Sequence, residues 1–140
     1  MNNLKQPTKN QKIGRIGEEI AVKYLENMGY FVIEQNYLKK YGEIDIIAKN
    51  QGILHFVEVK SVSCEIPVEK VKNVPQVTNG YRPEDNLHSA KLKRLTRTIQ
   101  AYLFEKIKDV DIEWQFDAII VRLDSKTKQA RVKMLQNIIL

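Results

Sequence analysis

The sequence predicts a single α/β domain in which helices flank a mixed central sheet. Two segments repeat apolar residues with the helical period, and four others are rich in aromatic and β-branched residues. These segments follow one another in the order α-β-β-β-α-β, which places helices against a sheet. The length of 140 residues, 43% of them hydrophobic, suits one domain with one packed core.

The first helix is expected to follow a flexible N-terminal arm of residues 1–9, which are polar and include Pro7. A single domain then spans 10–140. The helical period begins near Asn10 and stops at Gly29, since glycine commonly ends helices. The residues expected along the buried face are Ile13, Ile16, Ile20, Tyr24 and Met28, with Gly17, Ala21 and Leu25 beside them.

Three strands are predicted next, at 30–36, 42–48 and 53–61. Short loops join them, so they should form an antiparallel meander. A long loop is expected at 62–84, which contains three prolines and has no clear period. A connection of this length is usually functional or mobile.

The second helix is expected to begin after a cap at Asp85 or Asn86 and to end near Lys108. A fourth strand follows at 112–123, and the segment 130–140 is expected to add an edge strand. The core face of the second helix is predicted to consist of Leu92, Leu95, Ile99, Tyr102 and Leu103.

Charge and cysteine content indicate which kind of partner and which cellular compartment to expect. Lys and Arg outnumber Asp and Glu by 23 to 17, and a net charge of +6 modestly favours an anionic partner such as nucleic acid. The lone cysteine, Cys64, fits a reducing compartment. The sequence shows no secretory signal and no apolar run of about 20 residues, so a cytoplasmic protein without a membrane segment is expected.

Two neighbouring strands carry charged residues among apolar ones. Glu58 and Lys60 lie two apart and share a strand face, and pairing through the turn at 49–52 would bring Asp45 close to Glu58. Carboxylates in apolar strands need compensation, which Mg²⁺ supplies by binding one or two of them plus waters. A lone E-x-K pair is more often a solvated ion pair, but the upstream aspartate makes a metal site the more specific interpretation.

The run D-x12-E-V-K resembles the PD-(D/E)xK signature of the restriction-endonuclease-like superfamily. The blocks GRIGEEIA, GEIDIIA, FVEVKS and FDAIIV resemble those of the YraN-like family, small bacterial proteins related in fold to Holliday junction resolvases. The resemblance runs from about Gly14 to Leu123 and implies a restriction-endonuclease-like core. That family often carries an arginine soon after its catalytic lysine, where this chain has Ser61 and Val62.

The resemblance also implies a role for each matching residue. Asp45 and Glu58 would be metal carboxylates, and Lys60 would be the catalytic lysine. Glu18 would add a helix carboxylate to the metal site, and a helical wheel places it at the edge of the apolar stripe. An exposed acid on the first helix is an equally good interpretation of Glu18. Glu43 shares the strand face of Asp45, but the motif match favours Asp45 as the ligand.

Basic residues on the second helix and before the second strand are candidates for phosphate contacts, although a solvated basic surface is about as good an interpretation. These candidate nucleic-acid-binding residues are Lys91, Lys93, Arg94, Arg97, Lys39 and Lys40. His55 is expected to be half-buried rather than a metal ligand. Asp117 is expected either to support the ligands from behind or to end a hydrogen-bond network.

The leading functional prediction is a nuclease that hydrolyses DNA phosphodiester bonds with Mg²⁺ or Mn²⁺, with branched and single-stranded DNA as candidate substrates. One alternative is a catalytically silent nucleic-acid-binding module of the same fold. Another is a partner-binding domain whose acids form ion pairs. DNA is the expected partner, and the oligomeric state stays open between a monomer and a homodimer.

Overall fold

The computed structural model describes residues 6–64, 89–109 and 111–140. Within them lie a first helix, α1, a second helix, α2, a π-helical turn after α2, and five strands. Their bounds are α1 Lys9–Asn27, β1 Phe31–Lys39, β2 Gly42–Asn50, β3 Ile53–Cys64, α2 Ser89–Tyr102, the π-helical turn Leu103–Ile107, β4 Trp114–Asp124 and β5 Ala130–Leu135.

The strands form one five-stranded sheet in the order β1-β2-β3-β4-β5. β3 and β4 are parallel, whereas the other neighbouring pairs are antiparallel. The predicted antiparallel meander of the first three strands and the predicted C-terminal edge strand are therefore confirmed. A mixed sheet flanked by helices also confirms the α/β class, and it is consistent with a restriction-endonuclease-like core.

The helices pack against opposite faces of the sheet, and each covers its own apolar cluster. Phe56 on β3 belongs to the cluster under α2, and the next residue, Val57, belongs to the cluster under α1. This alternation follows from the two-residue period of a strand. The α2 cluster contains Tyr37, Ile44, Ile47, Leu54, Phe56, Leu95, Ile99, Tyr102 and Phe116. The α1 cluster contains Ala21, Leu25, Ile46, Ala48, Val57, Ile119 and Val121.

The structure confirms part of the predicted buried face of α1, because Gly17, Ala21 and Leu25 are buried and Ile20 and Tyr24 pack against the same cluster. Ile16 and Met28 keep 47% and 59% of their surface exposed, so their prediction as core residues is wrong. The reason is the close approach of α1 to β3. A Cβ atom on Gly17 would lie 1.7 Å from Oγ of Ser61, which leaves no room for a large side chain there. The buried residues of α1 are Gly17, Ala21 and Leu25.

The helix ends follow local backbone chemistry. Oγ1 of Thr8 accepts a hydrogen bond from the N–H of Gln11, and the Gln11 side chain accepts one from the N–H of Thr8. This capping box satisfies two N–H groups at the start of α1. After α2 the chain forms the π-helical turn. The helical backbone ends at Lys108, which has a left-handed φ of 56°.

The first three strands run further than the sequence predicts. β1 continues to Lys39, β2 to Asn50 and β3 to Cys64, so residues 62–64 of the expected long loop belong to the third strand. The rest of that loop and both predicted helix caps, Asp85 and Asn86, lie outside the described residues. In the part of the chain that the structure describes, the helices are too short or too polar to cross a membrane.

Candidate functional site

The candidate site forms where β2 and β3 stop pairing. At this end of the ladder the last paired residues are Ile46 and Val57, and one further step would set Asp45 opposite Glu58. Instead, Oδ2 of Asp45 accepts a hydrogen bond of 2.7 Å from the N–H of Val59. The aspartate side chain therefore supplies an acceptor to β3 at the point where the strands separate.

The regular alternation of β2 also breaks at Asp45. Ile44 and Ile47 pack in the cluster under α2, whereas Ile46 and Ala48 pack in the cluster under α1. A regular strand would place Ile44 and Ile46 on one face. Asp45 lies at this change of face, and its carboxylate reaches the neighbouring strand.

Burial and neighbouring acids raise the pKa values of two carboxyl groups at this point, those of Asp45 and Glu18. Burial, followed by the charge of Glu58, raises the pKa of Asp45 to about 8, against the opposing effect of the hydrogen bond from Val59. The charges of Glu18 and Glu43 raise the pKa of Asp45 further. Burial, with the charges of Glu43 and Glu58, also raises the pKa of Glu18. Such mutual repulsion in a partly buried site favours either protonation or a bound cation.

A cavity of about 710 Å³ opens beside these acids, between the start of α1 and the end of β3. Glu18 is half-buried and lines this cavity, whereas its neighbour Glu19 is exposed. Lys60 lines the same cavity, and so does Ser61, whose Oγ is buried without a hydrogen-bond partner among the described residues. The remaining lining residues are Lys9, Asn10, Ile13, Gly14, Val59, Val62 and Ser63. Glu18 and Lys60 therefore line the same cavity, and the charge of Glu18 raises the pKa of Asp45.

Glu58 is held by a cation from α2. Nζ of Lys91 lies 2.7 Å from Oε1 of Glu58, and the two side chains are only 35% and 14% exposed. Charges that are partly removed from water attract each other more strongly than a fully solvated pair. Lys91 therefore compensates one acid of the cluster from the opposite helix.

Mg²⁺ binds oxygen ligands, and the acidic side chains at this end of the sheet are of that type. Within 6–64, 89–109 and 111–140, no group of three or more His, Cys, Asp or Glu side chains converges as a ready-made ion site. Mg²⁺ nevertheless needs only one or two carboxylates and retains several waters. Asp45 and Glu58 lie across the strand separation and provide this hard-oxygen pair, with Glu18 nearby. The chemistry of these donors fits a hydrated divalent cation.

Three of the six predicted nucleic-acid-binding residues make side-chain contacts within the protein. Lys91 is paired with Glu58, and Nζ of Lys39 is 2.7 Å from Oε1 of Glu105. The guanidinium carbon of Arg97 lies 4.7 Å from the ring centroid of Tyr41. The residues Lys40, Lys93, Arg94 and Arg97 are exposed to solvent. These exposed residues remain the more accessible candidates for phosphate contacts.

His55 and Asp117 form a separate polar network in the interior. His55 is 4% exposed and Asp117 is 0% exposed, so the expectation of a half-buried histidine is wrong. Nδ1 of His55 lies 2.6 Å from Oδ2 of Asp117, whose Oδ1 accepts hydrogen bonds from the Gln115 side chain and the Asn137 backbone. The ring of Tyr30 packs edge-on against His55. These contacts match the hydrogen-bond network that was one of two interpretations of Asp117.

The pairing of Lys91 with Glu58 is the feature of the site that sequence reasoning missed. The sequence groups Lys91 with the other basic residues of its helix, as candidates for phosphate contacts or as part of a solvated basic surface. Its spacing carried a signal, because Lys91 lies four residues before the buried Leu95 and therefore on the same side of the helix. Which acid it would meet depends on how α2 packs on the sheet.

Comparison with known proteins gives one consistent family match. The family described as Uncharacterised protein family UPF0102 matches residues 17–121. A UPF0102 protein of Campylobacter fetus is 37% identical over 122 residues, covering 87% of this chain and 88% of the relative. A UPF0102 protein of Helicobacter pylori is 33% identical over 130 residues, 93% of each chain. A Clostridium botulinum UPF0102 protein is 31% identical over 131 residues, 91% of this chain and 94% of the relative.

Proposed function

The chain belongs to the protein family UPF0102, the YraN family that its motif blocks resemble, and we propose that it is a metal-dependent nuclease acting on DNA. The proposed site contains Asp45 and Glu58 as carboxylate ligands, Glu18 as a further acid and Lys60 as the catalytic lysine. Mg²⁺ is the proposed cofactor, and Mn²⁺ is its expected substitute because it accepts the same oxygen ligands.

One observation carries this proposal. The carboxylate of Asp45 reaches across the point where β2 and β3 separate, and its pKa is raised to about 8 by burial and by the neighbouring acids. A cluster of acids that repel one another is costly to fold unless it serves a ligand. A hydrated divalent cation is the ligand whose charge and oxygen preference match the cluster best.

The proposed roles follow from the chemistry of each side chain. When bound, a divalent cation supplies a Lewis acid for a phosphoryl oxygen and lowers the pKa of water. Asp45 and Glu58 would hold that cation at the end of the sheet. Lys60, which lines the adjacent cavity, would place a positive charge beside the phosphoryl group as negative charge develops there.

A DNA-cleavage assay tests the proposal with two variants that remove different parts of the site. The parent protein is incubated with linear, nicked, single-stranded and branched DNA in Mg²⁺ or Mn²⁺. Asp45→Asn removes one ligand charge, and Lys60→Ala removes the assisting cation while both carboxylates stay. Each variant should lose roughly 100-fold or more of the cleavage rate, because metal positioning and charge stabilisation are both needed.

Lys49→Ala provides the matched control, because Lys49 is an exposed lysine on the same strand as Asp45. This variant should cleave DNA as the parent does. Metal-dependent cleavage that persists in both site variants would indicate a contaminating nuclease and contradict the proposal. No cleavage of any substrate by the parent, combined with DNA binding, would instead identify a catalytically silent binding module of the same fold.

A further inference from the structure

Lys91 is the cation that contacts Glu58 in the structure. Its Nζ lies 2.7 Å from Oε1 of Glu58, in a pair that is partly shielded from water. Lys91 comes from α2, on the other side of the sheet from α1 and Glu18. It therefore places a positive charge at one end of the same acidic cluster in which Asp45 has a raised pKa.

We propose that Lys91 occupies the cation position at Glu58 in the metal-free protein, and that a divalent cation competes with it for this carboxylate. This inference rests on the proposed function, since it concerns the same two carboxylates. It assigns Lys91 a role that differs from a phosphate contact: Lys91 stabilises the site before the metal binds, and it lowers the affinity of the site for metal.

Competition follows from the charges at Glu58. A carboxylate oxygen that binds Mg²⁺ lies about 2.0–2.1 Å from the ion. An ammonium group that already contacts this oxygen repels a divalent cation from a few ångströms away. The carboxylate of Glu58 therefore binds a metal ion against the charge of Lys91, and this repulsion is relieved when Lys91 moves away.

The same contact explains how the acids are tolerated without metal. Burial and the charge of Glu58 both raise the pKa values of Asp45 and Glu18. A single ammonium group at Glu58 offsets part of this repulsion. Removing the charge of Lys91 should therefore lower the stability of the metal-free protein. It should also increase the stabilisation that metal binding provides.

Isothermal titration calorimetry with Mn²⁺ alone tests this competition on the full chain. Lys91→Met keeps the length and apolar stem of the side chain but removes the charge, and it should raise the Mn²⁺ affinity by about three- to tenfold. Lys91→Arg keeps the charge and should bind Mn²⁺ as the parent does. Lys49→Met makes the same change at an exposed position of β2 and should leave the affinity unchanged.

Thermal unfolding provides a second readout that does not depend on activity. With EDTA present, Lys91→Met should melt at a lower temperature than the parent, and saturating Mn²⁺ should raise its Tm by more than it raises that of the parent. The two measurements together separate loss of the ion pair from general damage to the fold, which would lower the response to Mn²⁺ rather than raise it.

The outcomes separate this inference from the proposed function. Mn²⁺ binding that is lost in Asp45→Asn but unchanged or weakened in Lys91→Met would overturn the role of Lys91 alone. Mn²⁺ binding by neither the parent nor Lys91→Met would overturn both proposals. Tighter binding and a larger Mn²⁺-induced Tm rise in Lys91→Met, with both changes absent in Lys49→Met, would support the competition.

Discussion

Asp45 carries a carboxyl group into a region where burial and the nearby acids oppose its ionisation. The hydrogen bond from the N–H of Val59 favours the charged form, but burial and the charge of Glu58 outweigh it and raise the pKa to about 8. At the scale of a single residue, the site is therefore electrostatically strained in the absence of a cation. A side chain in this condition should control both the pH dependence of folding and the affinity for metal.

Protonation of Asp45 should make the stability of the metal-free protein depend on pH. An unfolded aspartate ionises near pH 4, whereas Asp45 in the folded protein retains its proton up to about pH 8. Between these values the folded state binds more protons, so the contribution of Asp45 makes the free energy of unfolding fall as pH rises, with no further loss above about pH 8. Asp45→Asn keeps an acceptor for Val59 and should remove this fall.

Urea unfolding in EDTA between pH 4 and 9 measures the effect. At pH 8, Asp45→Asn should be roughly 2 kcal/mol or more stable than the parent, since one pKa unit corresponds to about 1.4 kcal/mol. Glu19→Gln removes an exposed acid on α1 and serves as the control with a nearly unchanged profile. If the free energy of unfolding has the same pH dependence in the parent and in Asp45→Asn, ionisation of Asp45 does not destabilise the folded protein and the prediction is wrong.

At the scale of elements, the contact between α1 and β3 positions Glu18 beside the cavity. Gly17 precedes Glu18 and packs so closely on Ser61 that an added Cβ would lie 2.8 Å from the Cβ of Ser61. The serine cannot relieve this by rotating its hydroxyl alone, because its own Cβ is also too near. Gly17 therefore sets the distance between the helix that carries Glu18 and the strand that carries Lys60.

Gly17→Ala should destabilise the protein by about 1–3 kcal/mol, even though alanine favours helix by up to about 1 kcal/mol over glycine. Gly14→Ala is the matched control, because a Cβ there meets no atom within 4 Å and should be neutral or stabilising. Chemical denaturation of both variants and of Gly17→Ala with Ser61→Gly measures the difference. The double variant should recover stability, and a stable single Gly17→Ala variant would contradict the close approach.

The elements themselves were largely predictable, because each has enough apolar residues in one period to identify it. The three-strand meander and α2's buried Leu95, Ile99 and Tyr102 follow from that pattern. The exposure of Ile16 and Met28 on α1 does not follow from it, since the close contact at Gly17 depends on a residue distant in sequence. In the site, the motif predicts that Asp45 lies close to Glu58, although β2 and β3 stop pairing one step before these residues. The contacts of Asp45 with Val59 and of Glu58 with Lys91 depend on packing and do not follow from the sequence.

At the scale of the whole molecule, the net charge of +6 is distributed unevenly between paired and solvent-facing residues. Lys91 and Lys39 are engaged with acids, whereas Lys93 and Arg94 are exposed on α2. Only charges available to phosphates release counterions when DNA binds. The exposed residues of α2 should therefore contribute more to DNA affinity than the paired lysines.

Fluorescence anisotropy with labelled DNA in EDTA, repeated over a range of salt concentrations, tests this distribution. Affinity should fall steeply with salt, and Arg94→Ala should reduce the log–log slope by about 1 in magnitude, as expected for one lost phosphate contact. Lys39→Met should change the slope much less, because Lys39 is paired with Glu105. Salt-independent affinity, or no binding at low salt, would remove nucleic acid as the proposed partner.

We propose that Asp45 and Glu58 together hold a divalent cation, and a crystal structure of the protein soaked in Mn²⁺ would show this cation directly. We expect an anomalous peak between the two carboxylates, about 2.1 Å from an oxygen of each, with Lys91 displaced from Glu58. Asp45→Asn crystals soaked in the same way should show a much weaker peak. An ordered site with no peak, and with Lys91 still bound to Glu58 at saturating Mn²⁺, would contradict the claim.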